Sequence, residues 1–150
     1  MPSVSPGNDD VEEVFVEGDL TDIGWLVDPS GLEEMLVDLD REFPGIPIVI
    51  TENGCAYDDP VVDGRCHDAR RVDFLQRHVT AVHRAVEGGA NVVGYFVWSL
   101  MDNFEWAFGY SMRFGITHVD FETQQRTPRD SALWYTKLAR THEIQEADGF

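Results

Sequence analysis

The chain has 150 residues, enough for one domain that buries about two-thirds of the surface that its unfolded form exposes. Its 28 acidic and 11 basic side chains give a net charge of −17, which argues against nucleic acids and anionic membranes as partners. The first residues show no basic start followed by an apolar run, and the longest apolar run, Val92–Met101, is far shorter than the roughly 20 residues of a spanning helix. We therefore expect a cytoplasmic protein without a membrane segment.

Residues 1–20 mix Pro, Gly, Asn and acids around one short apolar piece, Val14–Val16, and are typical of a tail or of a segment cut from something larger. A helical pattern begins at Asp28, which suits the N-cap, with Pro29 at the first helical position. The apolar side chains that share one face of this helix are Leu32, Met35, Leu36, Leu39 and Phe43. Pro44–Gly45 ends it.

Pro47–Thr51 is continuously apolar and β-branched, which predicts a short strand buried on both faces. The strand leads directly to Glu52, and a carboxylate in that position is costly unless it has a partner or a chemical role. The segment Gly54–His67 is rich in Asp, Gly and Pro and predicts a long loop, a feature that is more often functional than idle.

Cys55 and Cys66 lie 11 residues apart and lack the paired spacing of a structural zinc site. Two free thiols are the interpretation that fits a cytoplasmic chain, and a disulfide within the loop is the alternative.

A second helix follows the loop and stops at Gly88–Gly89. Its periodic face comprises Val72, Leu75, Val79, Val82 and Val86. Val92–Leu100 is another continuously apolar strand, which ends in the polar turn Asp102–Asn103. A third helix begins near Thr127–Asp130, a start that resembles a capping box. The apolar residues behind that start are Ala132, Leu133, Tyr135 and Leu138.

The alternation of helices and strands predicts an α/β fold with parallel strands. Two parallel strands cannot make a stable sheet, because both edges would leave backbone groups unpaired. Either short pieces such as Val14–Val16 and Phe114–Val119 supply edge strands, or the chain is the end of a larger α/β barrel.

Polar and aromatic side chains follow both predicted strands, where active sites of parallel α/β folds lie. They are Glu52 and Asn53 after the first strand, and Trp98, Asp102, Asn103, Glu105 and Trp106 at the end of the second. Carboxylates without a nearby lysine, metal-ligand cluster or nucleotide loop suit acid–base or nucleophilic work, and tryptophans beside them suit sugars. Taken singly, Glu52 is more often a cap or salt-bridge partner, and Trp98 more often core. Their joint occurrence favours a site, and we expect no metal and no cofactor.

Four segments resemble the carboxyl-terminal third of the sequences of glycoside hydrolase family 1, the β-glucosidases. The segments are TDIGWLVDPSGL at 21–32, TENG at 51–54, GYFVWSLMDNFEWAFGYSMRFGITHVD at 94–120 and RTPRDSALWY at 126–135. The resemblance predicts a (β/α)8 TIM barrel represented by its last two β/α units with the preceding helix. Residues 21–142 form this part, 1–20 precede it as a tail or truncated segment, and 143–150 follow as a carboxyl-terminal tail.

The resemblance also implies an activity and the residues that carry it. It implies retaining hydrolysis of terminal β-D-glucosyl or related residues through a covalent glycosyl-enzyme on Glu52. Trp98 corresponds to the tryptophan under the sugar, and Glu105 and Trp106 to the groups that hold its hydroxyls. Phe114 corresponds to an aromatic residue of the pocket, and Trp25 to the tryptophan that stacks on the leaving group.

The family's acid/base glutamate belongs to an Asn-Glu-Pro tripeptide, which this sequence does not contain. We therefore expect a fragment that is weakly active or inactive alone, with a small-molecule β-glycoside or oligosaccharide as ligand. The missing amino-terminal part of the barrel is a further expected partner. The alternative is a non-catalytic remnant that binds sugar or associates with another barrel fragment. An unrelated α/β interaction domain would instead place Glu52 and Glu105 at opposite ends of the sheet.

Overall fold

The computed structural model describes residues 17–146 and has the predicted α/β character. Its elements are α1 (Pro29–Glu42), β1 (Ile48–Asn53), β2 (Val61–Val62), β3 (Arg65–Cys66), α2 (Ala69–Glu87), β4 (Val92–Val97), β5 (Thr117–Val119), β6 (Arg126–Pro128) and α3 (Asp130–Thr141), with one 3-10 turn at Trp106–Phe108. The predicted edge piece Val14–Val16 lies outside the described residues, as do most of the predicted tails.

Helix α1 begins as the sequence predicts. The Asp28 side chain accepts hydrogen bonds from the Ser30 hydroxyl at 2.6 Å and from the Gly31 backbone N–H at 3.0 Å. These bonds stabilise the carboxylate and lower the pKa of Asp28. Of the predicted apolar face only Leu36 is fully buried, because α1 packs on α2 along one side and the rest of its face has no covering element within 17–146.

Strands β1 and β4 form a two-stranded parallel sheet. The prediction that β1 ends at Thr51 is wrong, since the strand continues through Glu52 and Asn53. The second strand is shorter than predicted and ends at Val97. Glu52 therefore belongs to the strand itself, which restricts its side chain more than a position in a turn would.

The prediction that the first strand is buried on both faces is also wrong. Ile50 is buried, whereas Val49 is 45% exposed and Phe96 on β4 is 60% exposed. Within residues 17–146, the helices cover one face of the sheet and no further strand pairs with either edge. The apolar sequence of the strands is typical of a sheet with both faces covered, and residues 17–146 cover only one of them.

The loop predicted at Gly54–His67 contains the short hairpin β2–β3, and both cysteines are buried as free thiols. Burial in apolar surroundings raises the pKa of the Cys55 thiol to about 12, so this thiol stays protonated at neutral pH. The core beneath the loop is built around Trp134, the largest fully buried side chain, with Val27, Cys55, Tyr57, Val72, Phe74, Leu75 and Ile116.

The structure contradicts one alternative and one prediction near the carboxyl terminus. Phe114–Val119 does not extend the main sheet, because β5 pairs antiparallel with β6 in a separate hairpin. Thr127 is consequently a strand residue and makes no capping box; α3 starts after Arg129 without a side-chain cap. Its first turn is held instead by Asp68, which accepts hydrogen bonds from the Ser131 backbone N–H at 2.9 Å and from the Ser131 hydroxyl at 2.5 Å.

Candidate active site

One open cavity of about 740 Å³ lies at the carboxyl ends of β1 and β4. All six side chains predicted as site residues line it: Glu52, Trp98, Glu105, Trp106, Phe114 and Trp25. Glu52 and Glu105 therefore face the same cavity, which contradicts the reading of the chain as an unrelated interaction domain. The cavity wall combines carboxylates with aromatic rings, the composition that suits a polyhydroxylated ring with one apolar face.

Glu52 points to this cavity from the penultimate position of β1. Its side chain is exposed, and no other described residue makes a hydrogen bond or an ion pair with its carboxylate. A carboxylate in this state is acceptor-only and solvated, so nothing within residues 17–146 competes with a ligand for it.

Trp98 is held in place through its backbone and is half-buried. Its N–H donates to the Asn53 carbonyl at 2.9 Å, which extends the contact between the two strands past their last ladder pair. The Trp98–Ser99 peptide bond is cis. The backbone of the next residue, Ser99, pairs with the segment before β5. Its N–H donates to the Phe114 carbonyl at 3.1 Å, and its carbonyl accepts from the Ile116 N–H at 2.8 Å. The indole thus sits at the junction between the sheet and the segment that leads to β5.

Glu105 and Trp106 lie on the loop that follows β4. The loop closes on itself, because the Glu105 N–H donates to the Gly109 carbonyl at 2.6 Å and the Glu105 carbonyl accepts from Phe108 at 2.8 Å. Trp106 has φ +40°, an uncommon conformation for a bulky residue, and its side chain is 82% exposed. An indole that is fixed by its backbone yet open to solvent is available for a ligand.

Phe114 and Trp25 form an aromatic part of the cavity wall. Phe114 is almost completely buried, and its ring lies 5.9 Å from the Trp25 ring, centroid to centroid, at a tilted angle of 51°. Trp25 is 56% exposed, and its backbone N–H donates to the Thr21 hydroxyl at 3.2 Å. The buried ring supports the exposed one, so Trp25 presents a free face to the cavity.

The loop carrying Glu105 is anchored by Asp102, which is buried. Its carboxylate pairs with Arg129 at 2.9 Å and Arg113 at 3.3 Å. It also accepts backbone hydrogen bonds from Gly115 at 3.0 Å and Val119 at 3.1 Å. Arg129 donates in turn to the Gly115 carbonyl. This network ties the end of the β4 segment to the β5–β6 hairpin, directly before the two site residues of the loop.

Several cavity residues were not predicted, notably His78 and Thr21, whereas Asn53 was expected at the end of the first strand. The His78 Nδ1–H donates to the Phe74 carbonyl at 2.7 Å, and the ring stacks on the Phe74 ring at 3.9 Å. Burial lowers the pKa of His78, so it is neutral at pH 7 and Nε2 is an acceptor. Its place on the apolar face of α2 was the only signal in the sequence, and that signal does not distinguish a core histidine from a cavity residue.

The described part of the chain offers no cluster of three His, Cys, Asp or Glu side chains arranged for a metal ion. Across residues 17–146, each helix is also too short or too polar to cross a membrane.

Comparison with known proteins matches this chain to one family. The model of Glycosyl hydrolase family 1 matches residues 1–144. A bifunctional β-D-glucosidase/β-D-fucosidase of Bifidobacterium breve is 50% identical over 148 residues, which cover 95% of this chain and 32% of that protein. β-Glucosidase A of Acetivibrio thermocellus is 40% identical over 142 residues, or 94% of this chain and 32% of that protein. The chain therefore spans about a third of the length of these curated relatives.

The solved structures similar to this chain include an enzyme of the same family. A family 1 β-glucosidase from Thermotoga maritima superposes with a TM-score of 0.86 at 42% identity, over 89% of this chain and 30% of that one. The same enzyme in complex with deoxynojirimycin superposes with a TM-score of 0.86, and its complex with isofagomine lactam with 0.85. Both ligands are sugar-like small molecules.

Proposed function

The chain belongs to glycosyl hydrolase family 1, and we propose that it carries the nucleophile and part of the sugar-binding wall of a retaining β-glycosidase. The observation that carries the proposal is the convergence of Glu52, Trp98, Glu105 and Trp106 on one cavity at the carboxyl ends of both parallel strands. The substrate class is a terminal β-D-glucosyl residue or a related one such as β-D-fucosyl, in keeping with the B. breve relative.

In the proposed reaction an oxygen of the Glu52 carboxylate attacks the anomeric carbon. The bond from that carbon to the leaving oxygen breaks, and the leaving group takes the electron pair. Water then attacks the same carbon and gives up a proton to the solvent. The bond from that carbon to Glu52 breaks, the electron pair returns to the carboxylate, and the sugar leaves with its original β configuration. Retaining enzymes use a second carboxyl group to protonate the leaving oxygen, and the Asn-Glu-Pro tripeptide that would supply it is not in this sequence. We expect this chain to cleave only glycosides whose leaving groups depart without a proton.

The remaining residues hold the sugar. Trp98 lies under the pyranose ring, where an indole offers an apolar surface to the C–H groups. The Glu105 carboxylate accepts hydrogen bonds from two adjacent hydroxyls of the sugar, and the Trp106 indole N–H donates a hydrogen bond to one of these hydroxyls. Phe114 closes the side of the pocket, and Trp25 stacks on the leaving group.

We propose that β1 and β4 are the last two strands of a (β/α)8 barrel, with α1 as the preceding helix. The exposed apolar face of the sheet, including Val49 and Phe96, and its two open edges in the described part of the chain support this assignment. The segments that would cover them are the expected macromolecular partner, the amino-terminal part of such a barrel.

Chemical rescue tests the role of Glu52. We expect Glu52→Ala to lose hydrolysis of 2,4-dinitrophenyl β-glucoside, because no carboxylate attacks the anomeric carbon. Added azide should occupy the vacated space and restore release of dinitrophenol with formation of α-glucosyl azide, since one displacement inverts the configuration. Glu122→Ala, at an exposed position away from the cavity, is the matched control and should behave as wild type. A β-configured azide product, or unchanged hydrolysis in Glu52→Ala, would overturn the assignment.

A second candidate function, sugar binding without turnover, is favoured by the state of Glu52, which no described residue orients through a hydrogen bond or an ion pair. Here we expect deoxynojirimycin to quench tryptophan fluorescence saturably. Trp98→Ala should weaken binding about fivefold, because stacking on an aromatic ring is worth about 1 kcal/mol. Phe108→Ala, on the same loop as Glu105 but not in the cavity lining, should leave the dissociation constant unchanged. Equal losses in both variants would mean that the ligand binds elsewhere.

A further inference from the structure

The pairing of β1 with β4 is irregular at the residues that carry the proposed chemistry. Ile50 lies opposite Tyr95, and Asn53 lies opposite Val97. Between these pairs β1 has two residues, Thr51 and Glu52, where β4 has only Phe96. This is a bulge on β1, so backbone pairing alone does not fix the position of Glu52, the residue that bears the carboxylate. A slip of one residue would turn Glu52 to the opposite face of the sheet.

One side-chain hydrogen bond spans this bulge. The Tyr95 hydroxyl donates to the Asn53 side-chain carbonyl at 2.7 Å. Its two ends lie on either side of the irregular interval, because Tyr95 pairs with Ile50 before the bulge and Asn53 is the first paired residue after it. Asn53 is thereby held at both its side chain and its backbone, whose carbonyl accepts from the Trp98 N–H.

Tyr95 also contacts helix α3 behind the sheet, through its backbone rather than through its hydroxyl. Its backbone carbonyl accepts a hydrogen bond from the Tyr135 hydroxyl at 3.1 Å, and the two rings lie 6.3 Å apart. Burial raises the pKa of the Tyr95 hydroxyl, so it remains a proton donor throughout the neutral range. Tyr95 borders the groove between α2 and α3 and does not line the cavity that holds Glu52.

We propose that Tyr95 is a positioning residue that locks the β1 bulge through Asn53 and so directs Glu52 into the cavity. It acts without touching the sugar. The inference rests on the proposed role of Glu52 as nucleophile, and its structural part, the locking of the bulge, can be measured separately.

The kinetic test uses inactivation by 2,4-dinitrophenyl 2-deoxy-2-fluoro-β-glucoside in the full chain. Tyr95→Phe deletes only the hydroxyl, and we expect the maximal inactivation rate to fall about tenfold with unchanged half-saturation, because a misaimed nucleophile slows the chemical step. Tyr135→Phe is the matched control: it deletes a hydrogen bond to Tyr95 but leaves the bridge to Asn53, and it should inactivate at the wild-type rate. An unchanged rate in Tyr95→Phe, or equal losses in both variants, would overturn the proposal.

Amide hydrogen exchange supplies a readout that needs no reaction. Loss of one hydrogen bond should raise exchange at the Glu52 and Asn53 amides about fivefold to tenfold in Tyr95→Phe. Exchange at Ile50 should stay unchanged, and Tyr135→Phe should not reproduce the pattern. If the inactivator does not label wild type but Tyr95→Phe shows this exchange pattern, the nucleophile role fails and the locking of the bulge stands. Unchanged or uniformly raised exchange in Tyr95→Phe overturns the lock itself.

Discussion

Asp102→Asn is expected to lower the free energy of unfolding by about 3–5 kcal/mol, because it leaves buried Arg129 without a counter-charge. The side chains of Asp102 and Arg129 are both fully buried. Both carboxylate oxygens of Asp102 and both terminal nitrogens of Arg129 make hydrogen bonds in the same network. Asparagine has nearly the same shape but carries one acceptor oxygen and no charge. The guanidinium cannot release its proton to relieve the penalty. Urea unfolding followed by circular dichroism measures the loss.

The matched control is Asp38→Asn, which breaks an ion pair of similar length in solvent. Asp38 and Arg41 lie 2.5 Å apart, and both side chains are about 70% exposed. Such a pair contributes at most about 1 kcal/mol, so this variant should unfold almost as wild type does. Similar losses in the two variants would show that the Asp102 network does not hold the loop that carries Glu105 and Trp106.

Gly54→Ala is expected to be the second most damaging substitution outside the chemistry. A Cβ atom at position 54 would lie 1.6 Å from the Trp98 carbonyl oxygen and 2.7 Å from its carbon, both of them backbone atoms. The strand ends must separate to admit the methyl group, which costs about 3 kcal/mol and moves Trp98 away from Glu52. Urea unfolding should reveal the destabilisation, and deoxynojirimycin binding should weaken with it.

Gly88→Ala is the control for the general effect of replacing a glycine. Gly88 has the φ and ψ values of a right-handed helix, and the nearest atom to its added Cβ lies at 3.3 Å. We expect its free energy of unfolding to change by less than about 1 kcal/mol. If Gly54→Ala were as mild, the close approach of β1 and β4 at this point would be refuted.

The elements with strong local signals could be predicted from the sequence. Asp28 and Pro29 predict the start of α1, and Gly88 predicts the end of α2, because the signals that start and end a helix depend on a few adjacent residues. The start of α3 could not be predicted in this way. Thr127 looks like a cap, but pairing with β5 draws it into a strand, and Ser131 is held by Asp68, which lies 63 residues earlier in the chain.

The candidate site likewise has residues that the sequence predicts and contacts that it does not. Active sites of parallel α/β folds lie at the carboxyl ends of the strands, and this rule predicted that Glu52, Trp98 and Glu105 lie close together. In the structure all three line one cavity. The Asp102–Arg129 pair and the Tyr95–Asn53 hydrogen bond had no local signal, because their partners lie 27 and 42 residues apart. Burial on both faces of β1 was mispredicted for a different reason: the strand has the composition of a fully buried strand, but residues 17–146 cover only one of its faces.

The central claim is that Glu52 is a nucleophile, and trapping its covalent intermediate tests it most directly. The folded chain is incubated with 2,4-dinitrophenyl 2-deoxy-2-fluoro-β-glucoside, which needs no proton donor to lose its leaving group, and is then digested and mapped by mass spectrometry. We predict one fluoroglucosyl group on the peptide that contains Glu52, and none in Glu52→Gln. No adduct on folded protein, or an adduct on Glu105, would contradict the account.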